Sequence, residues 1–182
     1  MINSVLYKSI RKKIGEKIIN IVVVNTGGTF NKEYNQIKGQ LEVREDSFFI
    51  ESIFASSKII KKDIKGLLYK DSLEITDTDR KGLVEFLTRI KTDKILIIHG
   101  TDTMNITAKY IDNKIKNKTI VLTGAMQPYS IEPIEATANL MLGFGYLQSE
   151  KNFGVYIAMH GNIKEYSQIK KNKEKGIFEC LS

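Results

Sequence analysis

Tryptophan is absent from this chain of 182 residues, which carries only one cysteine, two prolines and two histidines. The lone Cys180 excludes an internal disulfide framework and fits a reducing compartment. His99 and His160 stand far apart without ligand-spaced partners, so neither a metal site nor a Cys/His thiol nucleophile is indicated. Long apolar runs are missing as well. Ile95–Ile98 is typical of those present, against the roughly 20 apolar residues of a membrane-spanning helix. The first 17 residues hold five Lys/Arg but no following apolar stretch and no small-residue cleavage site, which argues against a secretory signal. The expectation is a soluble, cytoplasmic protein without membrane contact.

What remains is globular in character. The hydrophobic fraction is 42%, and the length suits one domain with a sizeable core. Residues 1–17 read as a basic lead-in and 18–182 as a single domain, without repeats, low-complexity stretches or a linker. The net charge of +7 resides in scattered lysines, with clusters at Arg11–Lys13, Lys61–Lys62 and Lys170–Lys175. Solvated helix faces explain this spread better than a nucleic-acid surface, which needs basic residues gathered on one face.

Apolar runs mark buried parallel strands. They fall at Ile18–Val24, Gly66–Tyr69, Ile95–His99, Thr119–Leu122 and Gly154–Met159. Helical spacing of apolar residues marks Asp46–Ser57, Thr78–Ile90, Asn105–Ile115 and Ile134–Leu147, with Thr76 or Asp77 as the cap of the second. Strands alternating with helices predict an α/β domain of three αβα layers around a mostly parallel sheet. In such sheets ligands bind beyond the carboxyl ends of the strands, where this chain places turns rich in Gly, Thr and Asp.

Three of these turns carry chemistry. In Thr26-Gly27-Gly28-Thr29 the glycines permit a sharp bend, and the Thr29 hydroxyl follows the strand; a nearby base would make it a nucleophile. A strand-ending turn in which the threonine only caps a backbone group fits the same residues. In His99-Gly100-Thr101-Asp102-Thr103-Met104 a hydroxyl adjoins a carboxylate before a helix. Asp102 suits a ligand ammonium, and either residue suits an N-cap. Thr123-Gly124-Ala125-Met126-Gln127-Pro128 offers main-chain groups to a substrate amide, and Asp71-Ser72 reads either as a carboxylate site or as a turn and cap. Lys171, in its Lys-rich stretch, reads locally as a solvated charge.

The ordered set of TGGT at Thr26–Thr29, HGTDTM at His99–Met104 and GAMQP at Gly124–Pro128 resembles the bacterial-type L-asparaginases and glutaminase-asparaginases. The similarity spans roughly residues 18 to 175 and corresponds to the family's N-terminal domain, of Rossmann/flavodoxin-like architecture; the C-terminal domain is expected to be absent. The resemblance implies a hydrolase that takes L-asparagine or L-glutamine to the acid and ammonia through a threonine acyl-enzyme, with no cofactor and as a homo-oligomer. It assigns Thr29 as primary nucleophile and Tyr34, on the following loop, as a lid tyrosine. Thr101, Lys171 and Asp102 become a relay, with Asp102 also holding the substrate ammonium. Ser72 receives the α-carboxylate, Ala125 offers its carbonyl, and Gly28 and Gly100 line the site. Leu73, Gln127 and Glu135-Ala136 depart from the family's usual residues. These departures and the missing domain favour an alternative: a catalytically reduced relative that binds a small amino acid or a partner protein.

Overall fold

The computed structural model describes residues 20–59, 63–149 and 152–181. The basic lead-in, the first two residues of the Ile18–Val24 run and the Lys61–Lys62 cluster lie outside the described residues. Strand β1 (Ile21–Gly27) is buried along its whole length. It lies between β4 (Asp63–Lys70) and β5 (Lys94–Ile98), followed by β6 (Thr119–Thr123), β7 (Gly154–Met159) and β8 (Asn162–Glu165), giving the order β4-β1-β5-β6-β7-β8. All neighbouring pairs are parallel except β7 with β8.

Both faces of this sheet are covered, and residue alternation divides the core accordingly. Helices α1 (Phe48–Ser56) and α4 (Pro133–Ser149) pack Phe49, Ile53, Phe54, Leu140 and Phe144 against Val23, Leu96, Ile98 and Val121. On the other face, α2 (Asp77–Arg89) and α3 (Met104–Asp112) pack Leu83, Leu87, Met104 and Ile111 against Val22, Val24, Ile95, Ile97 and Ile120. A strand buried on two sides needs apolar residues at every position, which is why these segments are continuous runs. The three-layer α/β architecture is as the sequence predicts.

Boundaries differ for local reasons. Thr76 caps α2 through a reciprocal box in which its hydroxyl accepts from the Asp79 amide and the Asp79 carboxylate accepts from the Thr76 amide. Helix α1 begins only at Phe48, because the Asp46 carboxylate accepts the Phe48 amide in a turn ahead of it. Helix α3 ends at Asp112, short of the expected Ile115. Strand β4 is longer than Gly66–Tyr69 and contains an irregularity at Tyr69, whose φ is +54°.

Two hairpins escape the apolar-run criterion. Strands β2 (Lys32–Asn35) and β3 (Gln40–Val43) form one directly after β1, so Tyr34 lies on a strand and not on a loop. Strands β9 (Ile169–Asn172) and β10 (Ile177–Cys180) form the other, which places Lys171 within a strand pair and not beyond the last strand. Only Ile169 and Phe178 of this pair are buried, as anchors in the α2/α3 core.

Candidate active site

The sheet order reverses at β1: the chain leaves β1 for β4 on one side and returns to β5 on the other. Beyond the carboxyl ends of β1 and β5 the connections diverge, the place where sheets of this kind form a crevice for a ligand. Thr29 follows β1 and Thr101 follows β5, one strand apart.

The turns around this crevice are in direct contact. Gly28 has φ +79°, and a methyl there would lie 2.4 Å from both Cα and N of Gly100. A methyl on Gly100 would in turn lie 2.6 Å from Cβ and 2.7 Å from Oγ of Ser72. Only glycine permits this three-way approach of the loops after β1, β4 and β5. Further bonds hold it. The Thr26 hydroxyl donates to the Ile98 carbonyl at 2.7 Å, the Thr103 hydroxyl to the Ser72 carbonyl at 2.7 Å, and the His99 amide to the Thr123 carbonyl at 2.8 Å. Thr103 is the cap residue of α3, without a side-chain capping bond, so neither Thr101 nor Asp102 serves as its cap.

At the centre, the Lys171 ammonium donates to Thr101 Oγ1 at 2.8 Å and to Asp102 Oδ1 at 3.0 Å. The Lys171 side chain is 14% exposed and that of Asp102 31%. The bland reading of Lys171 as a solvated charge is thereby corrected: it is the partner of the two HGTDTM side chains. Asn105, at the start of α3, explains how the hairpin reaches the site. Its Nδ2 donates to the carbonyls of Tyr166 at 2.9 Å and Ile169 at 2.6 Å, immediately before and within the strand that carries Lys171.

The remaining candidates occupy the rim. Ser72 is buried, at the start of a short 3-10 turn whose preceding Asp71 accepts the Leu73 amide. Asp71 also pairs with Lys32 at 2.6 Å. Burial opposes its ionisation, but the Lys32 hydrogen bond, the Leu73 amide and the charge of Lys171 outweigh it and hold the carboxyl below its usual range. Ala125 is buried on the turn after β6. Thr29 is half-buried at the first position of a 3-10 turn. Tyr34 stands on the hairpin, 56% exposed, opposite Leu41 across the strands. Leu73 is 69% exposed beside Ser72. Among the described residues no group of three or more His, Cys, Asp or Glu is arranged to hold a metal ion, and no helix is long and apolar enough to cross a membrane.

Residues 20–178 match the model of the asparaginase N-terminal family. The chain belongs to this family. Among curated relatives it is 28% identical over 157 residues to a probable periplasmic L-asparaginase of Haemophilus influenzae, covering 79% of this chain and 44% of the relative. It is 26% identical over 164 residues to an L-asparaginase of Thermococcus kodakarensis, covering 87% and 49%. The chain thus spans about half the length of these curated relatives. In three dimensions it resembles the thermostable L-asparaginase of Thermococcus kodakarensis (TM-score 0.73, 24% identity, 88% of this chain and 50% of the other). A probable cytoplasmic L-asparaginase of Campylobacter jejuni is similarly alike (TM-score 0.72, 22% identity, 88% and 52%). These two likenesses establish the α/β fold, and the family match places the Thr101–Asp102–Lys171 cluster within an asparaginase-type domain.

Sequence reasoning gave no site role to Asn105, Glu135 or His160, although Glu135 stands out as a departure from the family's usual residues. Asn105 directly follows the HGTDTM hexapeptide, and Glu135 precedes Asn139 by one helical turn. Those spacings were the available signals.

Proposed function

We propose that this chain hydrolyses the side-chain amide of a small amino acid, L-asparagine first and L-glutamine as the longer alternative. The observation that carries the reading is the ammonium of Lys171 bonded at once to Thr101 Oγ1 and Asp102 Oδ1. An ammonium donating to a hydroxyl oxygen stabilises negative charge on that oxygen and so favours transfer of its proton. In this reading Thr29 Oγ attacks the amide carbon and Thr101 serves the proton traffic. The C–N bond breaks, ammonia leaves with the transferred proton, and water then cleaves the Thr29 ester to release the acid. Asp102 holds the substrate ammonium, Ser72 its α-carboxylate, and the Ala125 carbonyl its amide N–H. Gly28 and Gly100 keep the floor of the crevice free of side chains. Tyr34, on the hairpin that directly follows Thr29, would close over the nucleophile once substrate is bound.

The decisive experiment measures ammonia release from millimolar L-asparagine and L-glutamine by the wild-type chain and by Thr29→Ala and Thr101→Ala. Release that disappears in both variants supports the reading, and no release from wild type overturns it. A second reading, a binder without turnover, is favoured by one observation: apolar Leu73 stands exposed beside Ser72, where related enzymes often carry a polar contact to the substrate. Calorimetry with L-aspartate decides it, because saturable binding without ammonia release is its signature. Assembly as a homo-oligomer completes the proposal, motivated by the exposed Leu73, Ile131 and Ile134. Residence in the cytoplasm is also proposed, since the free thiol of Cys180 suits a reducing compartment; the relatives themselves divide between cytoplasmic and periplasmic descriptions.

A further inference from the structure

One side-chain network joins two parts of the site that are remote in sequence. The Glu135 carboxylate, on α4, accepts the Met126 amide at 2.9 Å and 3.1 Å through its two oxygens, and the Gln127 amide at 3.2 Å. It thereby fixes the backbone immediately after Ala125. His160 Nε2 lies 3.1 Å from the same Glu135 Oε1, and His160 Nδ1 accepts the Phe178 amide at 3.2 Å. The second contact requires a bare Nδ1, so the partners assign the ring proton to Nε2, which donates to Glu135. Phe178 is the cross-strand partner of Lys171 in the β9–β10 hairpin. Asn139 braces the arrangement, accepting the His160 amide at 2.9 Å and donating to the Gly124 carbonyl at 3.1 Å. His160 holds φ +50°, a left-handed conformation that strains a non-glycine residue. Backbone strain of this kind persists where surrounding contacts over-determine it, and such places cluster near functional sites.

We propose that Glu135 and His160 are positioning residues that couple the Ala125 turn to the hairpin carrying Lys171. One imidazole then sets the amide-binding carbonyl and the lysine relative to each other. This rests on the functional reading above for its consequence in catalysis, but the coupling itself is a property of the fold.

The test compares His160→Phe, which keeps a ring but loses both bonds, with His160→Gln, which retains one donor and one acceptor. On wild-type protein, nitrogen NMR should report the His160 proton on Nε2 and a bare Nδ1. In His160→Phe, hydrogen-exchange protection should fall at the Met126 and Phe178 amides together, although they lie on opposite sides of the ring. Where the wild type turns over L-asparagine, kcat/KM should drop about tenfold or more in His160→Phe, as loss of a hydrogen bond to a carboxylate implies, with most of it regained in His160→Gln. Should His160→Phe fail to fold, Glu135→Gln reads the coupling from the other end, through protection at Phe178. Protection lost at one amide only, or equal activity in all variants of an active wild type, overturns the proposal. An inactive wild type sinks the functional reading alone, since the exchange experiment still decides the coupling.

Discussion

The Lys171 ammonium lies 2.8 Å from the Thr101 hydroxyl although 70 positions separate the two in the chain. The contact depends on a polar hairpin being carried back to the sheet's rim. Ile169 and Phe178 anchor that hairpin in the core, and Asn105 holds the carbonyl of Ile169 in its first strand and that of Tyr166 in the turn before it. Lys171→Met therefore separates chemistry from folding. Its partner Asp102 retains 31% side-chain exposure, so the lost pair should change stability by no more than about 1 kcal/mol. Ammonia release should fall by about 10²- to 10⁴-fold, the usual worth of a positioned proton-transfer group. Lys171→Arg should not restore it, because a planar guanidinium cannot replace a compact ammonium between two oxygens. Urea unfolding alongside the activity assay checks both halves.

Asn105 gives a second test. Asn105→Leu keeps the volume on α3 but leaves the carbonyls of Tyr166 and Ile169 without their donor. The expected cost is about 1–3 kcal/mol for the unsatisfied groups. Hydrogen exchange should quicken in 166–172 and leave β5 and β6 unchanged. Unaltered exchange in the hairpin would remove Asn105 from the account.

Gly28→Ala tests the floor of the crevice. The new methyl would meet Gly100 backbone atoms at 2.4 Å while the residue sits at φ +79°. Left-handed strain alone costs about 1–2 kcal/mol, and the clash adds to it. A loss above about 2 kcal/mol in denaturant unfolding, together with loss of L-aspartate binding, is expected. A variant as stable as wild type would mean that the loops after β1 and β5 do not touch.

The legible part of this molecule is the part in which each residue's environment is local. Strands β1, β5, β6 and β7 are buried on both faces, so burial writes itself into the chain as unbroken apolar runs. The turns after β1 and β5 announce themselves through glycines beside hydroxyls and a carboxylate. Strand β9, Ile-Lys-Lys-Asn, buries only Ile169, and β2, Lys-Glu-Tyr-Asn, buries none of its four residues, so neither has a run to read. Local pattern treated Lys171 as solvated, and only resemblance to a family singled it out. Glu135 reads only as a departure from the family's residues and His160 only as a histidine without ligand-spaced partners, because their actual partners are backbone amides and each other, 8 to 25 positions away. No periodicity records such contacts.

Acid should reach the domain first through His99. The ring is fully buried beneath the HGTDTM turn; its Nδ1 lies 2.8 Å from the Gly100 carbonyl, and its Nε2 has no partner among the described residues. Burial, the largest cause, pushes its pKa down from 6.5 to about 4, and the charge of Arg80 pushes the same way against the Gly100 hydrogen bond. Between these values the unfolded chain binds a proton that the folded chain refuses, so stability falls as pH falls. The contribution is fully present above pH 6.5 and is lost progressively down to about pH 4, below which both states are protonated. A shift of this size corresponds to about 3 kcal/mol. Urea unfolding at pH 7, 5.5 and 4 should show this slope in wild type, and the part due to His99 should vanish in His99→Gln, which carries no titratable ring. Equal slopes in the two proteins would mean that another group governs the acid limb.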